Sequence, residues 1–346
     1  MQHDPERYSC QLALPHFTEN TQALLAKARV LVVGAGGLGC PTLQYLVSTG
    51  IGNIGIADYD VVSVSNLHRQ ILYNDEDKGK SKSILACQRL RKQNPAVNLI
   101  EYNYKITSHN IMGILEDYDL IVDCSDNFET RYLLNDAAYL KNIPLVYGAI
   151  YQYEGQVAVW NVDLGNKTRS PNYRDLFPSV DPDQIPNCSN GGVMPPIAGI
   201  IGCMQANEVI KYFTRSGDLL AGKLFIMDVL NCSSRVIGLG KTSRAIINSL
   251  EESDSINNVT IEQLNNFEAG NYRLIDVRTS AEHAAFNIGG ENIPLQILDK
   301  YNFELDNVVI LYCSTGVRSQ AAAKLIMKNY PSIHVQILQG GIAQKK

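Results

Sequence analysis

Short apolar runs alternate with amphipathic stretches along the first 240 residues. Residues 30–33 (Val-Leu-Val-Val) read as a buried parallel strand, and a glycine-rich turn, Gly34-Ala35-Gly36-Gly37-Leu38-Gly39, follows at once. Residues 41–48 read as a helix, 54–57 as a second strand ending at Asp58, and 81–94 as another helix. Further strands are expected at 120–122, 143–146 and 157–160, with a helix over 129–141. Pro195 and Pro196 suit the first turn of a long apolar helix reaching about Phe213. Strand–helix alternation of this kind predicts an α/β fold, a Rossmann-like open sheet with mainly parallel strands.

The pattern changes after Gly240. Residues 241–258 are rich in Ser, Asn, Glu and Asp and read as a linker. A new rhythm then begins, with strands at 273–277, 308–312 and 335–338 and a helix over 318–328. The expected organisation is therefore residues 1–240, a linker at 241–258, and a small α/β domain at 259–346.

Composition narrows the function classes. The 346 residues are 45% hydrophobic and 19% charged, enough apolar material for sizeable cores. The net charge of −5 argues against nucleic acid or an anionic membrane surface as partner. No apolar run is long enough to span a bilayer, and residues 1–8 lack the parts of a signal peptide, so a cytoplasmic location is expected. None of the eight cysteines forms a C-x-x-C pair, which removes sequence support for a zinc site. Cys40, Cys87 and Cys203 fall in apolar helical stretches and read as small buried hydrophobes.

The glycine turn carries the first candidate chemistry. Gly34, Gly36, Gly37 and Gly39 let backbone approach a phosphate, and the helix that follows offers free N–H groups. Asp58, at a strand end, can accept hydrogen bonds from ribose hydroxyls. Behind the turn come Asp60, Asn66, Arg69, Gln70 and Lys82, and Asp126 and Asn127 leave another strand end. Two cations, an acid and amides suit ATP with Mg²⁺ better than a nicotinamide, the aspartate being a metal ligand.

Arg7-Tyr8-Ser9-x-Gln11, the Gly34–Gly39 run, Ser65-Asn66-Leu67-x-Arg69-Gln70, Gly79-Lys-Ser-Lys82, Asp123-Cys-Ser-Asp126-Asn127 and Gly192-Val-Met-Pro together resemble the MoeB/ThiF/HesA family. These are prokaryotic relatives of ubiquitin-activating enzymes. The resemblance implies ATP-dependent adenylation of the C-terminal Gly-Gly carboxylate of a small ubiquitin-like sulfur-carrier protein. It implies that Gly34–Gly39 cradle phosphates, Asp58 binds ribose, Asn66, Arg69 and Lys82 contact the triphosphate, and Asp126 holds Mg²⁺. A homodimer is implied as well. Gln70 and Asn127 join the expected nucleotide-binding set.

The chain departs from these relatives in two places. Many carry a second arginine in the N-terminal motif that reaches into the partner's ATP site, and Cys10 stands there; Arg7 is the candidate substitute. Many also carry two C-x-x-C pairs for structural zinc. The first pair aligns with Asn172-Tyr-Arg-Asp175 and no second pair appears before the linker, so no zinc is expected. Cys188 lies in a polar, Gly-containing loop, and the matching Cys of relatives can attack the adenylate or join a persulfide relay.

Cys313-Ser-Thr-Gly-Val-Arg318-Ser follows a predicted strand and opens a helix. Such a loop points N–H groups at the sulfur and stabilises a thiolate or persulfide anion. This segment resembles the rhodanese active loop, supported by Ile275-Asp-Val-Arg278 with Glu282-His283, by residues 288–295 and by Gly340-Gly341. Four residues separate Cys313 from Arg318, one fewer than in Cys-dependent phosphatases, which makes a smaller anion cradle. The resemblance implies that Cys313, with Arg318, takes sulfur from a cysteine desulfurase or thiosulfate and passes it on, giving the carrier a thiocarboxylate. Two rival readings stand beside this one. An NAD-dependent oxidoreductase is suggested by the glycine turn and Asp58, and a non-catalytic carrier-binding scaffold by the missing arginine and zinc ligands.

Overall fold

The computed structural model describes residues 6–15, 17–178, 192–250, 256–265, 267, 272–303, 308–330 and 333–342. The chain forms two compact units, Met1–Glu251 and Glu252–Lys346.

The first unit is built on an eight-stranded sheet. Its strands are β1 (Arg29–Val33), β2 (Asn53–Ala57), β3 (Asn98–Tyr102), β4 (Leu120–Asp123), β5 (Leu145–Tyr151), β6 (Glu154–Trp160), β7 (Lys223–Asp228) and β8 (Ser233–Gly238), in the order β8-β7-β6-β5-β4-β1-β2-β3. The pairs from β5 to β3 are parallel, whereas β5–β6, β6–β7 and β7–β8 are antiparallel. The sequence pattern shows β1, β2, β4, β5 and β6 and misses β3, β7 and β8. The inner parallel strands are buried on both faces and read as apolar runs, but the edge strand β3 is buried only at Leu99, and every residue of β8, Ser-Ser-Arg-Val-Ile-Gly, is exposed.

The helices that matter for the site are α1 (Glu19–Lys27), α2 (Gly39–Thr49), α3 (Lys82–Gln93), α4 (Phe128–Lys141) and α5 (Pro195–Thr214). Along β1, Val30 and Val32 point into the core that also holds residues of α2 and α5, and Leu31 and Val33 into the one packed by α4. Two caps set functional residues in place. Ser81 Oγ accepts the Ile84 N–H, so α3 starts at Lys82, and Asn127 Oδ1 accepts the Thr130 N–H at 2.9 Å, so α4 starts just past Asp126. Asn142 ends α4 in the left-handed conformation and the Ile143 N–H returns to the Ala138 carbonyl. That turn uses the first two residues expected in β5, which begins at Leu145 instead.

The positions aligned with the relatives' first zinc pair hold a hydrogen-bonded box. The Asn172 N–H donates to Asp175 Oδ2 at 2.8 Å, and Asn172 Oδ1 accepts the Arg174 N–H at 2.9 Å. Asp175 Oδ1 accepts the N–H groups of Arg244 at 2.7 Å and Ala245 at 2.9 Å, while Asn172 Nδ2 donates to Ser243 Oγ at 3.0 Å. Residues 243–245 are thereby strapped onto the first unit, and Ile247 is buried against it. The polar stretch expected to be a linker is thus fastened at its start. Its far end contributes to β9 (Asn257–Val259) of the second unit.

That unit has a five-stranded, all-parallel sheet of β9, β10 (Arg273–Asp276), β11 (Glu291–Asn292), β12 (Val308–Tyr312) and β13 (His334–Leu338), in the order β9-β13-β12-β10-β11. Its site-bearing helices are α6 (Ser280–Ala285) and α7 (Val317–Asn329).

The Asp175 box predicts a measurable dependence. Asp175→Ala should destabilise the first unit by about 1–3 kcal/mol in urea unfolding, since it strips a charged acceptor from three N–H groups. A chelator should leave the wild-type midpoint unchanged; a chelator-induced loss of similar size would contradict the strap's independence of metal.

Candidate active site

A cavity of about 320 Å³ opens at the carboxyl ends of the parallel strands, where β1 leads to β2 on one side and β4 lies on the other. Reversal of strand order at such a point leaves a crevice between the two connections. Gly34, Gly36, Gly37, Asp58, Asn66, Arg69, Gln70, Lys82, Asp126 and Asn127 all line it. Gly39 is not among the lining residues and serves the turn. Gly34 has φ of +99°, and a Cβ there would lie 2.5 Å from the Cys124 carbonyl oxygen; a Cβ on Gly39 would collide with the Gly34 carbonyl. The Arg69 and Gln70 side chains lie over Gly37 and Gly36.

Charge in this cavity is held ready at fixed points. Lys82 is buried, and its Nζ donates to Asp60 Oδ2 at 2.9 Å, while Asp60 itself is exposed. Asp58 accepts the Ala35 N–H at 2.7 Å and the Asp60 N–H at 2.8 Å. Burial pushes its carboxyl above the ordinary range, with Lys82 and those two N–H groups opposing the rise. Gln70 Oε1 is buried and finds no hydrogen-bond partner among the described residues, an acceptor left for a ligand.

Sequence reasoning does not single out Arg131, which also lines the cavity. Its guanidinium lies 5.3 Å from the centre of the Tyr147 ring, and Nη2 donates to the Ser125 carbonyl at 3.3 Å. Its Nε lies 3.9 Å from Asp123 Oδ2, and neither atom has a hydrogen-bond partner among the described residues. Asp123 Oδ1 accepts the Ser125 N–H and Oγ–H, and Gln205 of α5 donates to the Asp123 carbonyl. The 123–126 segment is therefore held from behind. The available signal was register: positions 131, 134, 135 and 138 share the buried face of α4, so a cation at 131 must be buried and paired.

Asp126 is exposed to the cavity and makes no hydrogen bond or ion pair among the described residues. No group of three or more His, Cys, Asp or Glu able to hold a metal occurs among those residues. The donor set nevertheless fits Mg²⁺ bound with a nucleotide, because that ion commonly takes one or two carboxylates and completes its shell with phosphate oxygens and water. Asn127 offers less, its Oδ1 being used as the α4 cap.

The second site is the turn from β12 into α7. Cys313 is buried and its Sγ accepts the Gly316 N–H at 3.0 Å, with Ser319 Oγ at 3.6 Å. Gly341 packs on this turn: a Cβ there would lie 2.5 Å from the Cys313 carbonyl oxygen. Arg318 does not point a free charge at the sulfur. Its Nη1 and Nη2 donate to Glu282 at 2.8 and 2.7 Å. Beneath lies a second network, in which buried Asp276 accepts from Arg278 Nη2 at 2.6 Å and meets His283 Nδ1 at 2.9 Å. Burial alone would raise the Asp276 carboxyl, but Arg278 and His283 more than offset it and hold it below the ordinary range.

The remaining candidates separate. Cys188 lies outside the described residues. Cys10 is exposed, and Arg7 Nη1 donates to the Gln93 carbonyl at the end of α3. Cys40 and Cys87 are buried, and burial pushes both thiols up to about 12; Cys203 is partly buried. No helix among the described residues is long and apolar enough to cross a membrane.

The fold and these two sites define a nucleotide-cavity α/β unit joined to a small unit that cradles a cysteine sulfur. The model of the ThiF family matches residues 8–244 and that of the rhodanese-like domain residues 260–345. The chain belongs to the ThiF family and carries a rhodanese-like domain at its C-terminal end. It is 45% identical over 240 residues to the sulfur carrier protein adenylyltransferase of Thermus thermophilus, covering 69% of this chain and 89% of the relative. It is 37% identical to the probable adenylyltransferase/sulfurtransferase MoeZ of Mycobacterium tuberculosis over 97% of this chain and 91% of that one. With the adenylyltransferase and sulfurtransferase MOCS3 of Drosophila sechellia the identity is 36%, over 98% and 82%. A crystal structure of E. coli MccB with ATP superposes with a TM-score of 0.59 at 20% identity, covering 69% of this chain and 73% of that one, a likeness of fold.

The Asp276 network predicts a pH response. Because the folded carboxyl is held low, its stabilisation is present above the unfolded value of about 3.9 and is lost as pH falls through the folded value. Asp276→Asn should lower second-unit stability at pH 7 by about 3 kcal/mol, by leaving Arg278 buried against a neutral partner. Its unfolding midpoint should then change less than wild type between pH 5 and pH 3, roughly the range in which carboxylates titrate. An unchanged acid slope would refute the assignment.

Proposed function

We propose that this protein adenylates the C-terminal carboxylate of a ubiquitin-like sulfur-carrier protein ending in Gly-Gly and then converts it to a thiocarboxylate. The convergence of the glycine turn, Asp58, Arg69, Lys82 and Asp126 on one cavity carries the reading. A carboxylate oxygen of the carrier attacks the α-phosphorus of ATP, and the bond to pyrophosphate breaks. Catalysis of such a step is mostly alignment and charge neutralisation. Backbone N–H groups of the turn hold phosphate and Asp58 holds ribose. Arg69 and Lys82 meet the triphosphate, Lys82 leaving its ion pair with Asp60 to do so. Asp126 would hold Mg²⁺, which supplies charge neutralisation on the phosphates, and Arg131 keeps the 123–126 segment in position behind it.

Cys313 carries the sulfur. Its persulfide attacks the acyl-adenylate carbonyl, a carbon–sulfur bond forms and AMP departs. A second thiolate then attacks the Cys313 sulfur, releasing the thiocarboxylate and leaving a disulfide for external thiols to reduce. Cys188 is the candidate second thiolate, and the sulfur donor is a cysteine desulfurase or thiosulfate. The same reading includes a homodimer, supported by the resemblance to MoeB-type enzymes, and a cytoplasmic location. An NAD-dependent oxidoreductase would use the turn and Asp58 but leave Arg69, Lys82, Asp126 and Cys313 without work.

Arg69→Ala and Lys82→Ala should each reduce carrier-dependent ATP–pyrophosphate exchange by at least about 100-fold, the usual scale for a lost charge-stabilising donor. Cys313→Ser should keep exchange near wild type and abolish thiocarboxylate formation, followed as the carrier's gain of one sulfur in place of oxygen by mass spectrometry. Near-normal exchange in both cation variants would sink the adenylation assignment, and wild-type thiocarboxylate formation by the serine variant would sink the Cys313 role.

A further inference from the structure

Glu282 has no part in the sulfur chemistry just described, yet it occupies the only charge on the cysteine turn. Between Cys313 and Ser319 the sequence holds one ionisable side chain besides the thiol, that of Arg318. Both of its terminal nitrogens donate to the two Glu282 oxygens, at 2.8 and 2.7 Å, and Nη2 also reaches Ser314 Oγ at 3.3 Å. Glu282 is itself fixed, because its Oε2 accepts the Thr279 N–H at 3.1 Å and the Thr279 hydroxyl at 2.8 Å at the start of α6. The Glu282 carboxyl is held well below the ordinary carboxylate range, by Arg318 first and Thr279 second. Thr315 and Val317, the exposed residues of the turn before Arg318, are uncharged. Arg278, a further cation of this unit, is committed to Asp276.

We propose that Glu282 sets the choice of sulfur donor: by holding Arg318 in a bidentate pair it withholds the turn's one positive charge, so Cys313 accepts sulfur from a persulfide and discriminates against the thiosulfate dianion. The inference rests on the reading of Cys313 as sulfur acceptor. Both donors react in the same way. The Cys313 thiolate attacks the outer sulfur, a new Sγ–S bond forms, and the donor's S–S bond breaks. The electron pair leaves on sulfite in one case and on the donor thiolate in the other. They differ in the charge the turn must meet. Thiosulfate brings two negative charges and sulfonate oxygens whose water must be replaced by cationic donors, whereas a persulfide needs only the N–H groups around the sulfur.

The full-length protein tests this with two probes, thiosulfate and 2-hydroxyethyl persulfide, reading sulfur on Cys313 by intact mass and sulfite release. Glu282→Gln keeps an acceptor for Thr279 and frees Arg318. Its KM for thiosulfate should fall about tenfold, roughly 1.4 kcal/mol of added binding, while its rate with hydroxyethyl persulfide stays within about twofold of wild type. Arg318→Gln should raise the thiosulfate KM, and the double variant should return it toward wild type. A measurement on the wild type alone guards against a misfolded variant: with the charge cancelled, its kcat/KM for thiosulfate should be nearly independent of ionic strength. An unchanged thiosulfate KM in a folded Glu282→Gln protein, or a steep salt dependence in the wild type, would overturn the selectivity proposal while leaving Cys313 as acceptor. Failure of wild-type Cys313 to gain sulfur from either probe would overturn the acceptor reading and the proposal with it.

Discussion

The geometry of the first unit depends on a backbone contact between two strand ends. Gly34 leaves β1 with its Cα against the Cys124 carbonyl, and only a residue without a Cβ fits. That contact brings the end of β1 and the end of β4 side by side, which is what places the glycine turn and Asp126 on opposite lips of one cavity. Asp58 then closes the turn by accepting the Ala35 N–H. A larger residue at position 34 would do more than strain a turn. It would part the two strand ends that bring the cavity's polar groups from separate segments of the chain together.

The two units solve the same problem with different amounts of charge. Both present backbone N–H groups at a strand-to-helix turn, where an anion is favoured. In the large cavity Lys82 and Arg69 supplement those groups, Lys82 being paired with an exposed Asp60. In the small one the cation is bound to Glu282, and the sulfur relies on N–H donation from Gly316. A site for a triphosphate needs mobile countercharge. A site for a single sulfur atom does not.

Residues that act through short contiguous motifs were legible in the sequence. The glycine turn, Asp58, Lys82 and Asp126 each sit at a strand or helix end that the apolar pattern marks, the Asn66–Gln70 group shows as a polar motif between elements, and the fold brings them to one cavity. Arg131 was hidden because its meaning depends on which face of α4 is buried, a tertiary fact. Glu282 was visible as a motif residue, but its bond to Arg318 joins two helices across 36 positions of sequence, and no periodicity encodes that. Of the antiparallel half of the large sheet, β6 was legible as the apolar run 157–160, whereas β8 escaped because an edge strand exposed along its whole length need not be apolar.

The box formed by Asn172 and Asp175 closes its region of the first unit with groups that the chain itself supplies. Its hydrogen bonds reach the backbone N–H groups of Arg244 and Ala245 and the hydroxyl of Ser243. What fastens this part of the chain to the first unit is thus carried by one carboxylate, one amide and a short run of backbone, so a change at either of two side chains would loosen it at both ends.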